Sequence, residues 1–111
     1  MTQSLAIAEI TRRLVEYYQP ERIYLFGSAA RGDGGPDSDL DFCVVLPDAA
    51  PPDLYRPGFH RALWDLGTAA DVVRFPASDF NMRAANVKAS LPATITREGK
   101  ILYDARRVAP R

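Results

Sequence analysis

Residues 27–41 read G-S-A-A-R-G-D-G-G-P-D-S-D-L-D. The pair Gly27-Ser28 directly follows the apolar run Ile23-Tyr24-Leu25-Phe26, and Asp39 and Asp41 stand at the entrance of a second apolar run, Phe42–Leu46. β-Branched and aromatic runs bounded by glycine and proline read as strands, so the stretch joins two of them, 22–26 and 39–46. Successive strand side chains point to opposite faces, which places Asp39 and Asp41 on one face with Cα atoms about 6.6–6.8 Å apart. Two neighbouring carboxylates that cannot escape each other's charge call for a cation. A Gly-Ser turn beside them can offer backbone N–H groups and a hydroxyl to a phosphate. Together they suggest a metal-dependent phosphate or nucleotide site.

Working outward, residues 4–18 carry Ile7, Ile10, Leu14 and Tyr17 or Tyr18 at the spacing of an amphipathic helix, stopped at Gln19-Pro20-Glu21. After the second strand, Pro47–Pro52 reads as a loop. Phe59, Leu63 and Leu66, with Pro57 in the first turn, predict a helix over 57–66 that Gly67 closes. Ala70–Phe75 predicts a third strand. A helix capped by Ser78, with Phe80, Ala84, Val87 and Leu91 on one face, follows until Pro92, and Gly99 ends a short turn of helix over 93–97. Ile101–Tyr103 reads as a terminal extended segment, and the tail 105–111 as frayed. The order α-β-β-α-β-α predicts an α/β fold: one helical layer on a small mixed sheet. The expected organisation is a single domain over 1–104 and a short tail over 105–111.

At 111 residues, 47% hydrophobic and 25% charged, the chain suits one modest core. Fourteen basic and fourteen acidic residues cancel, so there is no bulk electrostatic lure for nucleic acid, and no direct nucleic-acid partner is expected. Cys43 is the single cysteine, which excludes an intrachain disulfide and suits a reducing compartment. No stretch approaches the ~18 apolar residues of a membrane span, nor does the N-terminus show a signal-peptide pattern. The expectation is a small cytoplasmic protein away from membranes.

Asp71 opens the third predicted strand, thirty residues after Asp41. A carboxylate there is costly to desolvate without a cation or hydrogen-bond partner. If that strand lies beside the second, Asp71 can join Asp39 and Asp41. Three carboxylates holding two divalent cations meet the needs of in-line phosphoryl or nucleotidyl transfer, and oxygen donors select hard ions such as Mg²⁺ or Mn²⁺. Plainer roles stand beside these: Asp71 ion-paired to an arginine, Ser28 as a helix cap, Arg31 as a surface arginine. Asp37, Asp39 and Asp41 also resemble the start of a calcium loop, but Phe42 and Asp48 stand where glycine and glutamate are needed. His60, between Phe59 and Arg61, reads as solvated, and Cys43 as a buried thiol.

Gly27-Ser28, ten intervening residues, then Asp39-Leu40-Asp41 matches the GS-x10-DxD signature of nucleotidyltransferases related to DNA polymerase β. With GSAARG, SDLDFCVV, the later DVV and ITREGKILYD near the end, residues 5–104 closely resemble the minimal nucleotidyltransferases, often antitoxin partners of HEPN-domain toxins. The resemblance implies the polymerase β-type fold and two Mg²⁺ ions. Asp39 and Asp41 would bind both metals. Asp71 would hold the ion beside the acceptor hydroxyl and serve as general base. Gly27 and Ser28 would seat the β- and γ-phosphates of ATP or another NTP, and Arg31 would pair with phosphate or stabilise the loop. The implied reaction is transfer of a nucleoside monophosphate, AMP from ATP, to a tyrosine of a HEPN toxin. Transfer to a small molecule such as an aminoglycoside, or a non-catalytic antitoxin acting by occlusion, are the alternatives. Larger relatives carry a helical domain that grips the acceptor, and none is evident in these residues.

Overall fold

A computed structural model of the chain describes residues 2–35, 39–56 and 65–107. The first helix, α1, spans Gln3–Tyr18. It starts where Thr2 Oγ1 accepts the Leu5 N–H at 3.2 Å and stops where Gln19 turns left-handed at φ 51°. Its inward stripe is Ala6, Ile10, Leu14 and Tyr18, while Tyr17 is left exposed. Strand β1 follows over Arg22–Phe26, then a four-residue helix α2, Ser28–Arg31, and strand β2, Leu40–Leu46. A 3-10 turn covers Pro52–Tyr55, and β3 runs over Ala70–Pro76. Helices α3, Ala77–Asn86, and α4, Leu91–Glu98, lead into β4, Lys100–Asp104.

Among the described residues the strands form one mixed sheet in the order β3-β2-β1-β4. The pair β1–β2 is antiparallel, β2–β3 parallel, and β4 pairs antiparallel with β1. Helices cover both faces of this sheet, not one layer as the element order predicts. Leu40, Phe42, Val44 and Leu46 pack with α1, and Cys43 and Val45 pack with Ala77 and Phe80 of α3 and Ile95 of α4. A central strand covered on both faces reads as a continuous apolar run rather than an alternating one, and β2 is buried at every position except Asp41. Fully burying one such side chain stabilises by roughly 1.5–3 kcal/mol.

Four local expectations are corrected. The helix predicted to run from Ser78 to Leu91 is two helices: α3 ends at Asn86, Val87 is extended and exposed, and Ser90 caps α4 by accepting the Ala93 N–H at 3.2 Å. Pro92 opens α4 instead of breaking a helix, because the first turn needs no intrahelical donor there. Ser78 lies inside α3 and caps nothing; its own N–H donates to Asp48 Oδ1 at 3.0 Å. The start of the tail is also ordered, since Ala105–Arg107 form a 3-10 turn whose Ala105 N–H donates to the Glu21 carbonyl at 2.9 Å. Most of the helix expected over 57–66 lies outside the described residues, as do His60 and Trp64. Among the described residues no helix is long and apolar enough to cross a membrane.

Candidate functional site

The sheet topology brings three chain segments to one end. Because β1 and β2 are antiparallel, the last residue of β1, Phe26, stands opposite Asp41 near the start of β2. Because β2 and β3 are parallel, Asp71 near the start of β3 stands directly opposite Asp41 in the ladder. Asp39 lies just before β2, and Leu40, between the two aspartates, ties this end to the β3 approach through its N–H to the Ala69 carbonyl at 3.0 Å. Asp39, Asp41, Asp71 and the Gly27-Ser28 turn thus share one edge. The adjacency expected of the second and third strands is observed, and it sets Asp71 beside Asp41.

Gly27 is required twice over. Its φ of +77° lies in the region that L side chains rarely adopt. A Cβ at this position would also collide with Asp41 Oδ2 and sit 3.3 Å from Asp41 Cγ. The glycine therefore lets the turn close directly onto the Asp41 carboxylate. Gly27 occupies the cap position of α2 and offers no capping side chain, and Ser28 is the first helical residue. Ser28 thus does not cap the helix. The first N–H groups of such a turn have no intrahelical partner, and Gly27 at its start packs on Asp41.

Asp41 is half-buried and its pKa is raised, first by burial and then by the charges of Asp71 and Asp39, with Arg31 opposing. Asp39 and Asp71 are exposed. Burial plus like charge is the environment that a cation relieves. Carboxylate oxygens are the donors suited to Mg²⁺, and the absence of a Cβ at Gly27 lets the turn pack directly on Asp41, so the residue types fit a divalent ion. Among the described residues no three acidic, imidazole or thiol groups are gathered so as to hold a metal ion.

Arg31 ends α2 and is exposed. Its Nε donates to Asp33 Oδ2 at 3.1 Å, and its Nη1 lies 3.8 Å from Glu98 Oε1 at the end of α4. Glu98 was not singled out by the sequence, which gives no periodicity or motif linking 31 to 98. Cys43, two residues further along the Asp41 face, is fully buried, and burial pushes its thiol up to about 12, so it is an unreactive core residue as expected. Gly99 follows α4 with an ordinary φ of −81°. It is therefore not a left-handed helix-ending glycine. Close approach is what demands it, since a Cβ would stand 2.6 Å from the Ile95 carbonyl oxygen and 2.9 Å from that of Leu25.

Comparison with known proteins agrees with this fold. A solved structure described as the crystal structure of a toxin–antitoxin with AMP-PNP superposes with a TM-score of 0.59 at 21% identity, over 88% of this chain and 73% of that one. At that identity the likeness speaks for the fold. No curated protein matches the chain. The family model for the nucleotidyltransferase domain matches residues 7–100, a span that takes in β1, the Gly-Ser turn and all three aspartates. The chain belongs to the nucleotidyltransferase domain family.

Proposed function

We propose that this chain transfers a nucleoside monophosphate, AMP from ATP, to a tyrosine hydroxyl on a separately encoded HEPN-type toxin, and so acts as an antitoxin. The observation that carries this is the pairing of Asp41 with Asp71 across adjacent parallel strands, with Gly27 closed onto Asp41. Family membership supports nucleotidyl transfer. The toxin–antitoxin structure crystallised with AMP-PNP supports the nucleotide and the kind of partner. Residues 1–104 would form the transferase domain, with 105–111 as its tail, working in the cytoplasm where ATP is at hand.

Each residue has a task set by its position. Asp39, Asp41 and Asp71 would hold two Mg²⁺ ions, which when bound supply positive charge to the transferring phosphoryl group and the leaving pyrophosphate. Gly27 and Ser28, at the start of α2, would seat the β- and γ-phosphates with the turn's N–H groups and the serine hydroxyl. Arg31 adds a planar cation suited to phosphate oxygens. Asp71, exposed at the sheet edge, accepts the proton of the acceptor hydroxyl as that oxygen bonds to the α-phosphorus. The bond from the α-phosphorus to the bridging oxygen breaks, and pyrophosphate leaves. The exposure of Asp71 and Asp39 leaves the acceptor side open, so a partner must present the hydroxyl.

Calorimetric titration with AMP-PNP and Mg²⁺ tests the nucleotide half of this function. Wild type should bind, and Asp39→Ala with Asp41→Ala should remove Mg²⁺-supported binding while the fold persists. Unchanged affinity in that double variant would sink the site.

A further inference from the structure

Glu98 has no role in the site just described, yet two separate observations place it there. Its carboxylate lies 3.8 Å from Arg31 Nη1, while Asp33 holds Arg31 Nε at 3.1 Å. Independently, Gly99 lets the end of α4 close onto β1 at the Leu25 carbonyl, an approach that any Cβ would block against backbone on both sides. Leu25 is two residues before Gly27, so α4 is fixed to the same stretch of strand that carries the Gly-Ser turn.

These ion pairs are solvent-exposed, with side chains 44–60% accessible, and such pairs add little to stability. What they can do is orient. A guanidinium is planar with five donors in a fixed fork. Asp33 accepts a hydrogen bond from Nε, and Glu98, too far for a hydrogen bond at 3.8 Å, draws the Nη1 end toward it by charge, so the two carboxylates bias the plane and leave further donors for a phosphate.

We propose that Glu98 is a positioning residue: together with Asp33 it holds the Arg31 guanidinium beside the aspartate edge in the orientation that meets the nucleotide's phosphates. This rests on the nucleotide site proposed above. The test is the affinity of AMP-PNP with Mg²⁺ for wild type, Glu98→Gln, Arg31→Ala and the Glu98→Gln/Arg31→Ala double variant, with a thermal melt of each. Glu98→Ala repeats the measurement without the added amide.

Glu98→Gln should weaken binding about threefold to fivefold, the scale of an exposed ion pair. In the Arg31→Ala background the same change should have no effect, because a positioning residue acts only through what it positions. Equal or tighter binding by Glu98→Gln, or the same loss with Arg31 absent, overturns the proposal. Those results leave the nucleotide site standing provided that wild type binds and Asp41→Ala does not. Wild type failing to bind AMP-PNP at all would instead remove the nucleotide site, and the proposal with it.

Discussion

Gly27 and Asp41 are in contact: the space where a Cβ of residue 27 would sit is taken by the Asp41 carboxylate. The register that pairs Phe26 with Asp41 forces this, since the next residue must turn over the carboxylate with a φ of +77°. The long interval between the Gly-Ser pair and the aspartates is thus the connection of an antiparallel pair whose two ends meet.

Gly27→Ala should therefore fail on two counts. A non-glycine residue at such a φ costs on the order of 1–3 kcal/mol, and the new methyl must displace Asp41. Urea denaturation should show the lowered stability, and titration with AMP-PNP and Mg²⁺ should show binding lost beyond what that instability explains. An alanine variant that binds normally would mean that the close approach is incidental.

Asp41→Asn separates electrostatics from function. Burial, Asp71 and Asp39 raise the pKa of Asp41 above its unfolded value. A group shifted in this direction favours folding while protonated, and that contribution is lost as pH rises through the unfolded and then the folded pKa. Without metal, the Asn variant should be more stable than wild type at neutral pH. The difference should shrink as pH falls toward and below the ordinary aspartate range near ~3.9. Denaturation of both proteins across pH in a chelating buffer checks this, and a wild type as stable as the variant at every pH would contradict the assigned strain.

Asp71→Asn should impair chemistry far more than nucleotide binding. The amide keeps size and position in the ladder opposite Asp41 but loses basicity. General-base assistance is typically worth about 10²–10⁴-fold in rate. Single-turnover transfer under saturating ATP measures it; a loss below about threefold would assign Asp71 a structural role.

Phe80→Ala probes the sheet face that also carries Asp41. Phe80 is buried, stacks on Tyr24 with centroids 5.5 Å apart, and packs edge-on against Phe75 at 5.8 Å. Its removal should cost about 3–5 kcal/mol of folding free energy, read as a lowered urea midpoint. A change under about 1 kcal/mol would mean that α3 is not docked on the sheet as described.

The strands, and the position of the candidate residues on them, were legible in the sequence for a common reason. Ile23–Phe26 and Phe42–Leu46 are apolar runs bounded by turn residues, with Gly27, Asp39 and Asp41 at their ends, and Asp71 stands near the start of the third such run, Ala70–Pro76. Periodicity alone could not divide α3 from α4, because Val87 and Leu91 continue the apolar spacing although both are exposed. It missed α2 because four residues are about one helical turn. Contacts made across the fold leave no local trace. Asp48 accepts the Ser78 N–H, Glu98 approaches Arg31, and the need for Gly99 arises from the carbonyl of Leu25 on another element.

The most direct test of the central claim follows the α-phosphate. The protein is co-expressed with a candidate HEPN-type toxin of the kind proposed above, the two are incubated with Mg²⁺ and ATP labelled at the α-phosphate, and the toxin is mapped by mass spectrometry. The predicted result is label on a partner tyrosine as an AMP adduct, with equivalent pyrophosphate released, and none with Asp41→Ala. Absence of label with wild type, or label that survives loss of Asp39, Asp41 and Asp71 together, would contradict it.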